Sequence, residues 1–224
     1  MDPHYPITPE LYGHFNLHGF RRSGDLIYRP HCRDCSACVP VRIAVDKFAM
    51  TRGQKRTWKK NADLTVRAAE PKFEREHFEL FLRYQERRHP GSSMASPNPE
   101  KYMRFLVGRN IKTLFFEMRQ AERLVAVAVV DFLPDGLSAV YTFYDPDLPE
   151  RGLGAFAILW QVEHARSLRL PWLYLGYWIK ESPKMAYKIK YQPLEFFQNG
   201  AWRSAPEHTT GGLELDLGLA GEFP

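Results

Sequence analysis

The sequence predicts an α+β fold: a small cysteine-containing N-terminal module joined to a larger α/β domain. Three observations predict it. A strand, a hairpin, a glycine-containing turn, a long helix and a further strand succeed one another through residues 113–179. Residues 1–45 show no such order until position 39 and are rich in Pro, Gly, Arg and Cys. Hydrophobic residues make up 44% of the 224, enough to close a core.

Val41, Ile43 and Val45 alternate along residues 39–45, the period of a strand. Residues 51–62 read as a helix, with Thr51 placed to cap it. A short strand follows at 64–68, and Pro71 punctuates it. Residues 74–88 carry a 3.6-residue period that sets Phe78, Phe81, Leu82 and Gln85 on one face. Pro, Ser and Gly make 89–99 a loop, followed by a helix at 100–108 and a strand at 113–118. Strands at 125–132 and 138–144 flank the turn Pro134-Asp135-Gly136. Residues 153–168 form the best helix of the chain, and 172–179 a buried strand. Residues 206–224, glycine-bearing and weakly acidic, are expected to be a disordered tail. The expected division is therefore a module at 1–65, a domain at 66–205 and the tail.

The order through 113–179 is the core order of the acetyltransferase-like (GNAT-type) α/β fold. The turn before the long helix reads Arg151-Gly152-Leu153-Gly154-Ala155. In coenzyme-A-dependent acetyltransferases a similar loop offers backbone N–H groups to a pyrophosphate at a helix N-terminus. Here Phe156 stands where a small residue is wanted, so the loop argues for the fold and not for the cofactor.

Lys and Arg exceed Asp and Glu by 31 to 26, a formal charge of +5 that suits a polyanionic partner without requiring one. The longest apolar runs, such as 124–130 and 153–160, are too short to cross a bilayer. No charged start leads into an apolar segment, so the expected location is the cytoplasm and the expected state a monomer.

Cys32, Cys35 and Cys38 follow C-x2-C-x2-C spacing, which lets thiolates converge on one ion. A structural zinc wants a fourth ligand, for which His31 and His18 are the nearest candidates. An Fe–S run of the ferredoxin type would place a fourth Cys at 42, where Arg42 stands. Reduced cysteines packing a small core are the plain alternative to zinc or Fe–S.

Between Lys47 and Lys60 lie six positive charges and no acid. On a helix Arg52, Lys55, Arg56 and Lys59 share one side, where like charges repel unless an anion relieves them. That is the footprint of a nucleic-acid backbone contact, although a solvated basic face has the same composition. Trp58 either anchors this helix to the core or stacks on a base. Arg21, Arg22 and Arg29 lie within ten residues and supply guanidinium forks for carboxylate or phosphate.

A second constellation is aromatic. Tyr141, Tyr144 and Asp145 end one strand, Gly176 and Tyr177 end a later one, and Lys184, Tyr187 and Lys188 follow. Glycine within a buried strand marks a close approach of backbone or ligand. Singly these residues suit a core with wet tips; together they outline a cleft.

HGFRRSG at 18–24, YRPHCRDCSACVPVRI at 28–43, SAVYTFYDPD at 138–147, WLYLGYWI at 172–179 and SPKMAYK at 182–188 resemble the aminoacyl-tRNA–protein transferases of the N-degron pathway. The resemblance covers about residues 8–203. It is nearer to the bacterial aspartate/glutamate leucyltransferases than to the eukaryotic arginyltransferases. Relatives carry a longer segment with a further Cys ahead of the part that matches Thr8; here there is the short MDPHYP, so the resemblance implies a module shortened at its start.

The resemblance implies transfer of leucine from leucyl-tRNA to proteins beginning with Asp or Glu, marking them for degradation, with no soluble cofactor required. On that basis Asp145 is expected to orient or deprotonate the amine, and Tyr141, Tyr144 and Tyr177 to shape the site. Arg21, Arg22, Lys184, Tyr187 and Lys188 are expected to hold the acidic side chain or the tRNA 3′ end, and Arg52, Lys55, Arg56 and Lys59 the tRNA backbone. The rival activities are arginyl transfer, acetyl-CoA-dependent N-acylation, and RNA binding without catalysis.

Overall fold

Strand Arg123–Leu133 (β6) reads RLVAVAVVDFL, and nearly every residue in it is buried, as befits a strand covered on both faces. Its alternation sorts two cores. Ala126, Ala128 and Val130 face one side, with Phe156, Leu159 and Val162; Val127 and Val129 face the other, with Phe78, Phe81 and Tyr102. The structure, a computed structural model, describes residues 7–91 and 97–204.

In chain order the elements are helix Pro9–Leu17 (α1), strands Arg21–Ser23 (β1), Leu26–Tyr28 (β2) and Val39–Ala44 (β3), helix Arg52–Lys60 (α2), strand Leu64–Ala69 (β4), and helices Arg75–Arg88 (α3) and Pro99–Leu106 (α4). Strand Thr113–Gln120 (β5) precedes β6; strand Gly136–Tyr144 (β7), helix Leu153–Ser167 (α5), strand Trp172–Trp178 (β8), the single turn Pro183–Ala186 (α6), and strands Leu194–Gln198 (β9) and Ala201–Ser204 (β10) follow. Eight strands form one sheet in the order β10-β9-β3-β8-β7-β6-β5-β4. Every neighbouring pair is antiparallel except β7 and β8, which are parallel. Helix α5 packs on one face with α2 beside it; α3 and α4 cover the other.

The expected strand, hairpin, helix and strand of 113–179 are present as β5, β6, β7, α5 and β8. The expected cap of α2 is also present: Thr51 Oγ1 accepts from Gln54 N at 3.3 Å, and Gln54 Oε1 accepts from Thr51 N at 2.9 Å. The N-terminal region differs from its reading. Residues 1–45 contain α1 and the β1–β2 hairpin, and β3 stands inside the large sheet between β8 and β9. The cysteine-bearing segment is thus a loop between strands, not a module standing apart, and the sheet continues across residue 65. Residues 206–224 lie outside the described residues. Among the described residues no helix is long and apolar enough to cross a membrane.

Candidate active site

The parallel pair β7–β8 is short. Only Gly136, Leu137 and Ser138 pair with Trp172, Leu173 and Tyr174. Beyond them the strands part, and burial along β7 falls from complete at 136–138 to partial at 139–142. A parting of this kind leaves backbone groups without ladder partners, and another group must fill it.

Arg21 fills it. Its Nη1 donates to Ser138 Oγ at 3.1 Å and its Nη2 to the Ala139 carbonyl at 2.7 Å, both on β7. From the β8 side Gly176 admits it: the glycine has φ +75, and a β-carbon there would lie 2.9 Å from Arg21 Cζ. The chain register slips at the same place, between Val41 and Arg42, so Leu175 has no partner in β3.

Lys188 closes the opening from below. It is buried, its Nζ donates to the Tyr177 carbonyl, and among the described residues no carboxylate pairs with it. Burial, reinforced by the Arg21 guanidinium, pushes its pKa down to about 7. Tyr187, half exposed, stands in the field of Tyr144, Arg21 and Arg88.

The end of α3 forms the roof. Gln85, fully buried, donates to the Tyr141 hydroxyl at 2.7 Å. Tyr84 meets Tyr144 edge-on at 4.9 Å between ring centroids. Gly154 lets Tyr144 approach α5, since a β-carbon there would sit 3.0 Å from its ring. Arg88 and His89 end the helix, and Lys184 Nζ lies 3.1 Å from His89 Nδ1. Burial, then Lys184 and Arg88, hold the His89 pKa below its usual value. Neither Arg88 nor Lys184 has a salt bridge among the described residues. The opening therefore gathers cationic donors among tyrosines.

Three expected roles are corrected by these surroundings. Arg22 does not face the opening. It is buried against Asp131, with Nε and Nη2 at 2.6 Å from the two carboxylate oxygens, and Tyr12 and Thr113 complete the shell at 2.7 Å. Adjacent strand residues point to opposite sides, so Arg21 and Arg22 part company. Asp145 is no free base: its side chain is fully buried, takes 2.6 Å and 3.4 Å contacts from Arg123 and Arg83, and accepts from the Asp147 N–H. Burial alone would raise its pKa, but these donors hold it below the usual carboxylate range. The Tyr177 hydroxyl is occupied by the Gly19 and Tyr28 carbonyls at 3.1 Å, which makes it a clamp on the N-terminal hairpin.

Comparisons with known proteins identify the family. Residues 1–56 match the model described as the N terminus of arginine-tRNA-protein transferase, and residues 76–198 match its C terminus. An aspartate/glutamate leucyltransferase of Alcanivorax borkumensis is 49% identical over 212 residues, 95% of this chain and 88% of that protein. The chain belongs to the arginine-tRNA-protein transferase family. A second relative of the same name, from Pseudomonas savastanoi pv. phaseolicola, is 50% identical over 202 residues, 90% of this chain and 86% of that protein. In fold alone the chain resembles the structure of L-PGS from Bacillus licheniformis, with a TM-score of 0.53 at 13% identity, over 75% of this chain and 58% of that one.

The remaining expected residues of this transferase divide. Arg52, Lys55, Arg56 and Lys59 are exposed on α2, and none has a salt bridge among the described residues. Trp58 takes the anchoring role, 5.4 Å from Phe156 between ring centroids. The helix is tethered at its start by Gln54 Nε2, which donates to the Lys190 carbonyl at 3.0 Å. Arg151 of the glycine loop is committed to Asp63 and Asn61, so it is not offered to a pyrophosphate.

Cys32 and Cys35 face each other across a β-bridge in an exposed loop, and Cys38 lies within their field. Burial, then Cys35 and Cys32, push the Cys38 thiol up. Among the described residues no group of three or more His, Cys, Asp or Glu side chains is arranged to hold a metal ion.

Tyr84, Gln85, Arg88, His89 and Ser138 are site residues that the sequence reading did not assign. Gln85 carried a signal: it shares a helical face with Phe78, Phe81 and Leu82, and a buried amide there needs a partner.

Proposed function

We propose that the chain transfers leucine from leucyl-tRNA to the α-amino group of proteins beginning with Asp or Glu, at the opening between β7 and β8. The observation that carries this reading is the set Arg21, Arg88, Lys184 and Lys188, four cationic side chains without a carboxylate partner among the described residues, gathered around tyrosines. Two relatives, each about half identical, bear the name of that activity.

The chemistry is aminolysis of an ester. The acceptor amine attacks the aminoacyl carbonyl carbon, a C–N bond forms, and the bond to the tRNA ribose oxygen breaks. The amine nitrogen loses a proton and the departing oxygen gains one. Lys188, held near neutrality by burial, suits the relay of that proton. Arg21 donors, fixed on β7, suit the oxygen that becomes negative in the tetrahedral intermediate. Arg88 and Lys184 suit the acidic side chain of the acceptor. The phosphate backbone of tRNA falls to Arg52, Lys55, Arg56 and Lys59. No soluble cofactor enters.

The test is transfer of radiolabelled leucine and arginine, each from its own charged tRNA, to peptides starting with Asp, Asn or Ala. Leucine should be the donor, and Asp should exceed Asn by about 1.5–3 kcal/mol in transition-state binding, the worth of a hydrogen bond to a charged group. Equal transfer to all three peptides would sink the reading of the opening, and arginine as the better donor would reassign the reaction.

A further inference from the structure

A groove of about 500 Å³ lies away from the opening, between α2, α5 and the edge strand β4. Trp58, Phe156, Trp160 and His164 line it. The Trp160 and His164 rings stack at 4.8 Å with 17° between their planes. Phe156 is buried, but Trp58, Trp160 and His164 stay partly exposed, so some ring surface remains open to the groove. Packing explains the covered part of these rings and leaves the exposed part without a role.

The charge around the groove is one-sided. Helix α2 forms one wall, none of its residues is buried, and its exposed cations lack ion-pair partners among the described residues. Glu163 also lines the groove, but Arg166 pairs with it. Aromatic ring surface beside unrelieved positive charge fits a base carried on a phosphate chain, with Asn61 and Ser167 as polar members of the same lining. A neutral peptide would bury the rings and leave the cations unanswered.

We propose that this groove takes an unpaired nucleobase of the donor tRNA, stacked along Trp160 and His164, while the α2 cations hold the flanking phosphates. The proposal rests on the tRNA-dependent reading above and adds a second RNA contact to it. The two sites share a support, since Gln54 ties the start of α2 to Lys190, two residues from Lys188.

The test compares uncharged tRNA with a blunt, fully paired RNA duplex of equal phosphate count. The unmodified protein should bind both, and tRNA alone should quench the part of the tryptophan emission that Trp160→Leu removes. Trp160→Leu and His164→Ala should each weaken tRNA binding by about five- to a hundredfold, the range for one stacked base, and leave duplex binding within about twofold. The KM for leucyl-tRNA should rise by the same factor. His164→Ala removes a partly exposed ring and guards against a folding defect in Trp160→Leu. Unchanged tRNA affinity in both variants, or equal weakening for both RNAs, would overturn the proposal. So would quenching by an acceptor peptide in place of RNA. Absence of tRNA binding by the unmodified protein would instead remove the reading on which it rests.

Discussion

Arg21 lies flat against Gly176, and a single β-carbon on that glycine would stand 2.9 Å from the guanidinium carbon. The left-handed φ of +75 and the close approach act together, because both exclude a side chain at this position. Gly176→Ala should therefore displace Arg21 from Ser138 and Ala139. We expect at least a tenfold loss of transfer rate, with a stability cost of about 1–2 kcal/mol for the strained backbone. A variant that keeps full transfer would show that the Arg21 position is dispensable.

Arg22 should behave as a core residue. Arg22→Met leaves the fully buried Asp131 carboxylate facing an apolar chain, and breaking a buried pair costs about 3–5 kcal/mol. Urea unfolding should register that loss, while the preference for Asp over Asn in the acceptor stays as it was. A changed preference without a stability loss would return Arg22 to the substrate.

Lys188 gives the reaction a pH signature. Its folded-state pKa, about 7, lies below the ordinary lysine value, so the unfolded chain binds more protons between pH 7 and about 10.4. Stability should rise with pH across that window, and Lys188→Met should flatten the rise. Transfer should gain an inflection near pH 7 in the unmodified enzyme. The Met variant should lose it and retain only the titration of the acceptor amine, near 7.7–8.0. Profiles that superimpose would confine Lys188 to packing.

Reversing Lys55, Arg56 and Lys59 to Glu should weaken tRNA binding and flatten its dependence on salt, since fewer counterions are released. Because α2 has no buried residue, the melting temperature should change little. Equal affinity across a salt series would take the helix out of the interface.

Much of the frame was legible in the sequence, for reasons tied to particular residues. Val125 to Val130 can only be a covered strand, Thr51 and Gln54 spell a cap, and Leu153 to Ser167 carry no proline and, past Gly154, no glycine. The β9–β10 hairpin went unread: it turns at Asn199 and Gly200, both at positive φ, between two short strands. What the sequence concealed was which charges meet. Asp145 ends a strand beside two tyrosines, as a catalytic carboxylate would, and its neutralisation comes from Arg83 and Arg123, distant in the chain. Arg21 and Arg22 are chemically identical neighbours, and only the pairing of β1 with β2, together with Asp131, separates their fates.

That separation makes the three-residue strand β1 a register pin. Asp131 and Thr113 accept from one guanidinium at one depth, with Tyr12 donating to Asp131 behind them, and thereby dictate which arginine is left for the gap between β7 and β8. Deleting a single residue just ahead of β1 would bring Arg22 to the gap and Ser23 to the buried position, leaving Asp131 without its cation. Length changes in the cysteine loop, which lies past the hairpin and is mostly exposed, carry no such penalty. The segment before β3 is thus unequal along its length: rigidly counted up to Arg22, and free to vary in the loop beyond Tyr28.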